Sequence, residues 1–233
     1  MSMLRGEDLE GALDGAEPWT ADGDGGGGDG DPRDAGRLAG SHAHVVVDEA
    51  QELTDAEWQM VLARCPSRSL TVVGDRAQAR RGFPESWGER LERIGLHRID
   101  QTQLRVNYRT PTEVMVVAEP VIRAALPDAN VPMSVRASGV PVTYGPASDL
   151  ETVVARWRSE VEDGTACVIG AMGFVGDERV RSLTPPLAKG LEFDLVVLVE
   201  PERFGEAEGG VAGAVDRYVA MTRATQRLVV LAG

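Results

Sequence analysis

The sequence is almost without lysine. Of its 24 basic residues 23 are arginine, and Lys189 stands alone within Ala188-Lys189-Gly190. This excludes a phosphate-cradling P-loop, which needs a lysine followed by Ser or Thr after a glycine turn. Cysteine is also scarce. Cys65 and Cys167 lie far apart and in no Cys-x-x-Cys spacing, which excludes a disulfide framework or zinc ribbon and leaves two small buried hydrophobes suited to a reducing compartment. No apolar run approaches the roughly 18 residues of a membrane span, and Met1–Asp8 lacks the basic-then-apolar order of a secretory signal. The expectation is a cytoplasmic protein with no membrane attachment. Excess positive charge is missing as well: 37 acidic against 24 basic residues give a net charge of −13. Beyond a local arginine stripe, such a chain lacks the surface that releases counterions from a phosphate backbone.

What is present begins with 233 residues, 42% of them hydrophobic, enough for one large domain or two small ones. The acidity is uneven. Residues 1–43 hold ten acids against three arginines, and the Gly/Asp-rich tract from Ala21 to Gly40 predicts a disordered segment over 1–43, with at most a short helix around Glu7–Leu13. Order is expected from His44. Val45–Val47 and Ser69–Val73 read as strands buried on both faces. Between them Thr54 and Glu57 form a capping box for a helix that turns Trp58, Val61 and Leu62 inward. Further on, helices are expected over Thr112–Leu126, Asp149–Glu162 and Ala212–Ala224. Strands are expected at Val142–Tyr144, Ala166–Gly170, Arg179–Leu183, Leu195–Val199 and Arg227–Leu231. Strands alternating with helices imply an α/β fold with parallel sheets.

In such sheets ligands sit beyond the carboxyl ends of strands, and the polar residues concentrate there. One strand delivers Asp48-Glu49-Ala50-Gln51, a second Gly74-Asp75-Arg76-Ala77-Gln78, and a third Thr184 and the loop through Lys189-Gly190-Leu191-Glu192. Adjacent acids after a strand suit one carboxylate holding hydrated Mg²⁺ while the next polarises an attacking water. Alone, Asp48 and Glu49 read more readily as a solvated strand end that caps a following turn. Their company favours chemistry: Gln78 suits a γ-phosphate sensor, Arg109 and Arg223 suit neutralisation of developing charge, and Tyr108 offers a ring for a base.

Five strings carry a resemblance. DEAQ at 48–51, GDRAQ at 74–78, NYRTP at 107–111, AKGLEFD at 188–194 and YVAMTRA at 218–224 resemble, in order, motifs II to VI of UvrD/Rep-type superfamily 1 helicases. The resemblance implies P-loop-NTPase (RecA-like) parallel sheets. A truncated first RecA-like domain would span 44–100, with motifs II and III, and a second 101–233, with motifs IV to VI. It implies ATP and Mg²⁺ as cofactors, Asp48 as the metal-linked acid, Glu49 as the base and Gln78 as the γ-phosphate sensor. Arg109 and Arg223 would be arginine fingers, Tyr108 would stack on adenine, and Glu192, next to Gly190 in the same loop, would contact the ribose.

The departures are equally specific. Motif I is absent. Arg80-Arg81-Gly82-Phe83 and Trp87 follow motif III in place of the usual aromatic stretch, leaving Phe83 and Trp87 as candidates for base contact. Thr184-Pro185-Pro186 replaces Thr-x-His, and Pro111–Thr184 is too short for the accessory domain of Rep-like enzymes. The strings CPSRSLTVVGDRAQ, LRVNYRTPTEVM and LTPPLAKGLEFDLVVLVEP resemble the HelD-like ATPases that recycle RNA polymerase. This implies the C-terminal part of a helicase-like ATPase that acts on DNA or RNA polymerase and is inactive by itself. Two alternatives stand beside it: a non-catalytic module that docks on RNA polymerase or on a P-loop-bearing partner chain, and a decaying gene remnant.

Overall fold

Three consecutive valines are stiff at χ1 and favour extended backbone, and in the computed structural model they form strand β1 (Val45–Val47). The model describes residues 41–207 and 209–233. The expected helix near Glu7–Leu13, and all but the last three residues of the acidic segment 1–43, lie outside them. β1 pairs in parallel with β2 (Leu70–Val72). Between them runs helix α1 (Asp55–Arg64), whose Thr54 side chain accepts the Glu57 N–H while the Glu57 carboxylate accepts the Thr54 N–H. His44 staples the pair, its ring nitrogens lying 2.8 Å from Ser69 Oγ and 3.0 Å from Thr71 Oγ1. A second capping box, Ser86 with Glu89, starts helix α2 (Trp87–Arg93). Val47, Ala50, Trp58, Leu62, Leu91 and Ile94 form a small core between these elements. Here expectation is corrected: Val46 is 66% exposed, and Leu70–Val72 is only partly covered. A sheet of two strands with helices on one side leaves its other face open.

The larger assembly begins with β3 (Val106–Asn107), α3 (Thr112–Ala125) and β4 (Met133–Ser134), with β3 and β4 paired in parallel. It continues through β5 (Thr143–Pro146), α4 (Leu150–Glu160), β6 (Ala166–Ile169), β7 (Val180–Leu183), α5 (Pro185–Ala188), β8 (Phe193–Val199), α6 (Ala212–Met221) and β9 (Ala224–Ala232). Five strands form one parallel sheet in the order β5-β9-β8-β6-β7. Period-two alternation along β8 sends Val196 and Leu198 to the face covered by α3 and α6, and Leu195, Val197 and Val199 to the face covered by Val154 and Trp157 of α4. The expected α/β architecture with parallel sheets is therefore the one present. Cys65 and Cys167 are buried free thiols, and no described helix is long and apolar enough to cross a membrane.

The two parts are keyed together. Ala77, in the turn after β2, is fully buried in the core beneath α3 and α6. Three residues on, Arg80 Nε reaches both carboxylate oxygens of Asp216 on α6, at 2.9 and 3.1 Å.

Candidate functional site

At the end of β1 the chain turns sharply. Asp48 Oδ1 accepts the Glu49 N–H at 2.8 Å, and Glu49 adopts φ 52°, ψ 33°, a left-handed conformation that costs a residue with a Cβ about 1–2 kcal/mol. Buried Gln51 holds it there. Its Nε2 donates to Glu49 Oε2 at 2.6 Å, and its Oε1 accepts the Asp75 N–H at 3.0 Å. Gln51 lies inside the DEAQ string, but sequence reading gave it no role, because only the fold shows that it bridges two strand ends. Gly74 makes the approach possible: a Cβ there would lie 2.5 Å from the Trp87 ring and 2.9 Å from Gln51 Oε1.

The turn after β2 is organised by Asp75, whose Oδ1 accepts the Ala77 N–H and whose Oδ2 accepts from Gln78 Nε2, each at 2.9 Å. Burial raises the Asp75 pKa above the usual carboxylate range, against the opposing pull of these hydrogen bonds. The Gln78 amide is thereby fixed in direction.

The opposite wall comes from the larger assembly, beginning at the end of β3. Asn107 Oδ1 accepts the Arg109 and Thr110 N–H groups at 2.9 and 3.1 Å, turning the chain so that Tyr108 stands 74% exposed. Arg109 Nε pairs with Glu192 Oε1 at 2.6 Å. Sequence reading assigned these two residues to different parts of a nucleotide; here they are joined to each other. Gly190 has φ 76° with open space around it, the positive φ a glycine supplies as α5 ends. Lys189, just before it, reaches Glu49 Oε2 and Glu52 Oε1 at 2.9 Å each.

Arg223 follows α6 and is 4% exposed. Its Nε donates to Val219 O at 3.1 Å and its Nη2 to Thr222 Oγ1 at 3.3 Å. Among the described residues no carboxylate lies within ion-pair distance of it. Burial lowers its pKa, nearby Arg109 adds to the effect, and the more distant Glu49 and Glu192 charges oppose it. A buried cation with no anion in contact is costly, so the site as built favours an anion.

Glu49, Gln78, Lys189, Glu192, Arg109 and Arg223 thus lie in one neighbourhood, although they come from stretches more than a hundred residues apart. Asp48 lines the adjoining groove with Glu49, Asp75 and Gln78. Its Oδ2 has no hydrogen bond among the described residues, and no group of three or more metal-ligating side chains is found there. That donor set suits Mg²⁺, which is commonly held by one or two carboxylates plus phosphate oxygens and water. Of the two base-contact candidates, Phe83 is excluded. It is 1% exposed, lies 4.7 Å from the Trp87 ring and is covered by the Arg90 and Arg76 guanidinium groups.

No family model matches the chain, and no curated protein matches it significantly. Solved structures do resemble it. The arterivirus nonstructural protein 10 helicase is 19% identical over 84% of this chain and 40% of its own, with a TM-score of 0.49. The same arterivirus helicase in complex with DNA is 18% identical over 97% of this chain and 50% of its own, at 0.47. The C-terminal domain of a possible DNA helicase from Lactobacillus plantarum is 18% identical over 54% of this chain and 87% of its own, at 0.36. The chain spans half or less of the arterivirus proteins.

Proposed function

We propose that the chain is the C-terminal part of an ATP-dependent superfamily 1 helicase- or translocase-like ATPase, of the RNA polymerase recycling type. Residues 44–100 would be a partial first RecA-like domain and 101–233 the second, with nucleotide bound where the two walls meet. The observation that carries this reading is Arg223, a buried guanidinium with no carboxylate in contact among the described residues, which feels the charges of Arg109, Glu49 and Glu192. Two arginines within electrostatic reach of each other and of these acids suit a triphosphate, whose charge the arginines neutralise and whose Mg²⁺ Asp48 would help hold. In this reading Glu49 takes the proton of an attacking water, Gln78 senses the γ-phosphate, Tyr108 stacks on the base, and Glu192 passes from Arg109 to the ribose.

The chain carries no P-loop, so the amides and lysine that bind β- and γ-phosphates must come from elsewhere. Titration with a fluorescent ATP analogue, with and without Mg²⁺, tests the reading. Weak, Mg²⁺-assisted binding in the millimolar range that Arg109→Ala abolishes supports it. Binding indifferent to Arg109 and Arg223, or no binding at millimolar analogue, refutes it. Steady hydrolysis lost on Glu49→Gln refutes the incompleteness.

A second reading, a docking module for RNA polymerase or for a P-loop-bearing chain, is favoured by apolar side chains left accessible beside β2 at the margin of the small core. A groove of about 730 Å³ runs along β2, floored by Leu70, Val72, Leu91 and Leu96 and rimmed by Asp48 and Asp75. Co-elution with core polymerase or with a P-loop chain in size-exclusion chromatography checks it.

A further inference from the structure

In a chain that uses arginine for every other basic side chain, the seat of Lys189 is built for an ammonium. Its Nζ lies 2.9 Å from Glu49 Oε2, 2.9 Å from Glu52 Oε1 and 3.3 Å from the Gln78 carbonyl. Three donors meet three acceptors from two separate turns, and the side chain is 19% exposed. A guanidinium is longer and planar, and its five N–H groups diverge in a fork, so it cannot converge on this triad. The partners are themselves fixed: Glu52 Oε1 also accepts the Arg80 N–H at 3.4 Å, and the Gln78 turn is held by Asp75.

The effect falls on Glu49. Its Oε2 receives both Gln51 Nε2 at 2.6 Å and Lys189 Nζ at 2.9 Å, whereas its Oε1 makes no hydrogen bond among the described residues. One oxygen is pinned and the other presented.

We propose that Lys189 is a positioning residue that aims Glu49 Oε1 into the cleft, acting from the opposite wall through geometry that arginine cannot reproduce. The proposal rests on the reading of Glu49 as proton acceptor, but its test uses no nucleotide, so a failed nucleotide titration and a failed seat are told apart.

A single lysine makes amine chemistry site-specific, since only Lys189 and the N-terminal amine can react. Under brief native acetylation with peptide mass mapping, Lys189 should react about tenfold or more slowly than a free lysine, as expected for an ammonium with charge-assisted hydrogen bonds. The Glu49→Gln/Glu52→Gln double variant should restore the rate. Carbodiimide treatment should join Lys189 to Glu49 or Glu52 as an amide, with loss of water. Carboxyl footprinting then separates positioning from bulk stability. Lys189→Arg and Lys189→Met should raise labelling of Glu49 and Glu52 several-fold while leaving that of the capping-box Glu57 and Glu89 unchanged. Lys189→Cys alkylated with bromoethylamine, the thiolate displacing bromide to give a lysine isostere, should restore low labelling; Cys65 and Cys167 are buried and should be spared. Fast Lys189 acetylation with no cross-link, or wild-type labelling of Glu49 in Lys189→Arg, would overturn the proposal.

Discussion

Removing Arg80 should cost far more than neutralising the residue it holds. The Asp216 side chain is 6% exposed and that of Arg80 32%, so the two ends of one ion pair differ in access to water. Arg80→Met takes the guanidinium from a carboxylate in the interior of α6, and breaking a buried pair in this way costs about 3–5 kcal/mol. Asp216→Asn leaves a guanidinium that water reaches and an amide oxygen that still accepts, so about 1–2 kcal/mol is expected. In a domain of this size about 3 kcal/mol lowers the melting temperature by roughly 6–12 °C. Arg80→Met/Asp216→Leu, which removes both charges, should recover most of the loss. Urea unfolding followed by far-UV circular dichroism measures all three at constant m-value. Equal and small effects, below about 0.5 kcal/mol for both single variants, would refute the idea that this pair carries the Gln78 turn on α6.

Other outcomes follow from the same geometry. Gly74→Ala drives a methyl into Trp87 and Gln51 and should destabilise by about 1–3 kcal/mol, the usual cost of overpacking, seen as a lowered urea midpoint. Burial pushes the Cys167 thiol up to about 12, so Ellman's reagent should find it inert in the native protein and reactive in denaturant. Asp75 has a folded pKa above its unfolded value of about 3.9. Its contribution is therefore full below the unfolded pKa and lost as pH rises through the folded one. The stability difference between Asp75→Asn and wild type should consequently move in favour of the variant as pH rises above about 4, and an unchanged difference in thermal melts would contradict the assignment. Hydrogen exchange should be faster in β1 and β2 than in β8 and β9, because a two-stranded sheet with an open face opens locally at lower cost.

Much of the fold was legible because its signals are local. Thr54 with Glu57 announced α1, and the apolar runs that became β6, β8 and β9 marked the large sheet. The capping box Ser86–Glu89 was equally readable, yet the helix it begins went unassigned beside the polar Arg80–Ser86 stretch. Val46 was misjudged for a different reason: three valines look the same whether one or two faces are covered, and only the number of partner strands decides. The acids of the candidate site were marked by their place after strands, and Arg109 and Arg223 by the NYRTP and YVAMTRA strings. The roles of Gln51 and Glu52 were not, because they are contacts across 24 and 137 residues of sequence, nor was that of Gly74, which lies in its approach to Trp87 and Gln51. Phe83 shows the reverse case, in which an aromatic beside a functional string belongs to packing.

The distribution of packing explains why those long-range contacts are concentrated at the site. Glu192 and Arg223 lie just before β8 and β9 of a five-stranded sheet with cores on both faces, so their backbone needs no further support, while Arg109 follows β3 and is tied to that sheet through Glu192. Glu49 and Gln78 hang from two short strands whose core also buries the Trp58 indole N–H without a hydrogen-bond partner among the described residues, a defect worth about 1–3 kcal/mol. Left to themselves, such strands would not hold a carboxylate to within the fraction of an ångström that the proposed proton transfer would require. Ala77 buried under α6, Arg80 on Asp216 and Lys189 on Glu49 and Glu52 transfer the rigidity of the large sheet to the small one. Their cost is adaptability, since each tie that steadies Glu49 also joins the two walls between which a nucleotide would have to enter.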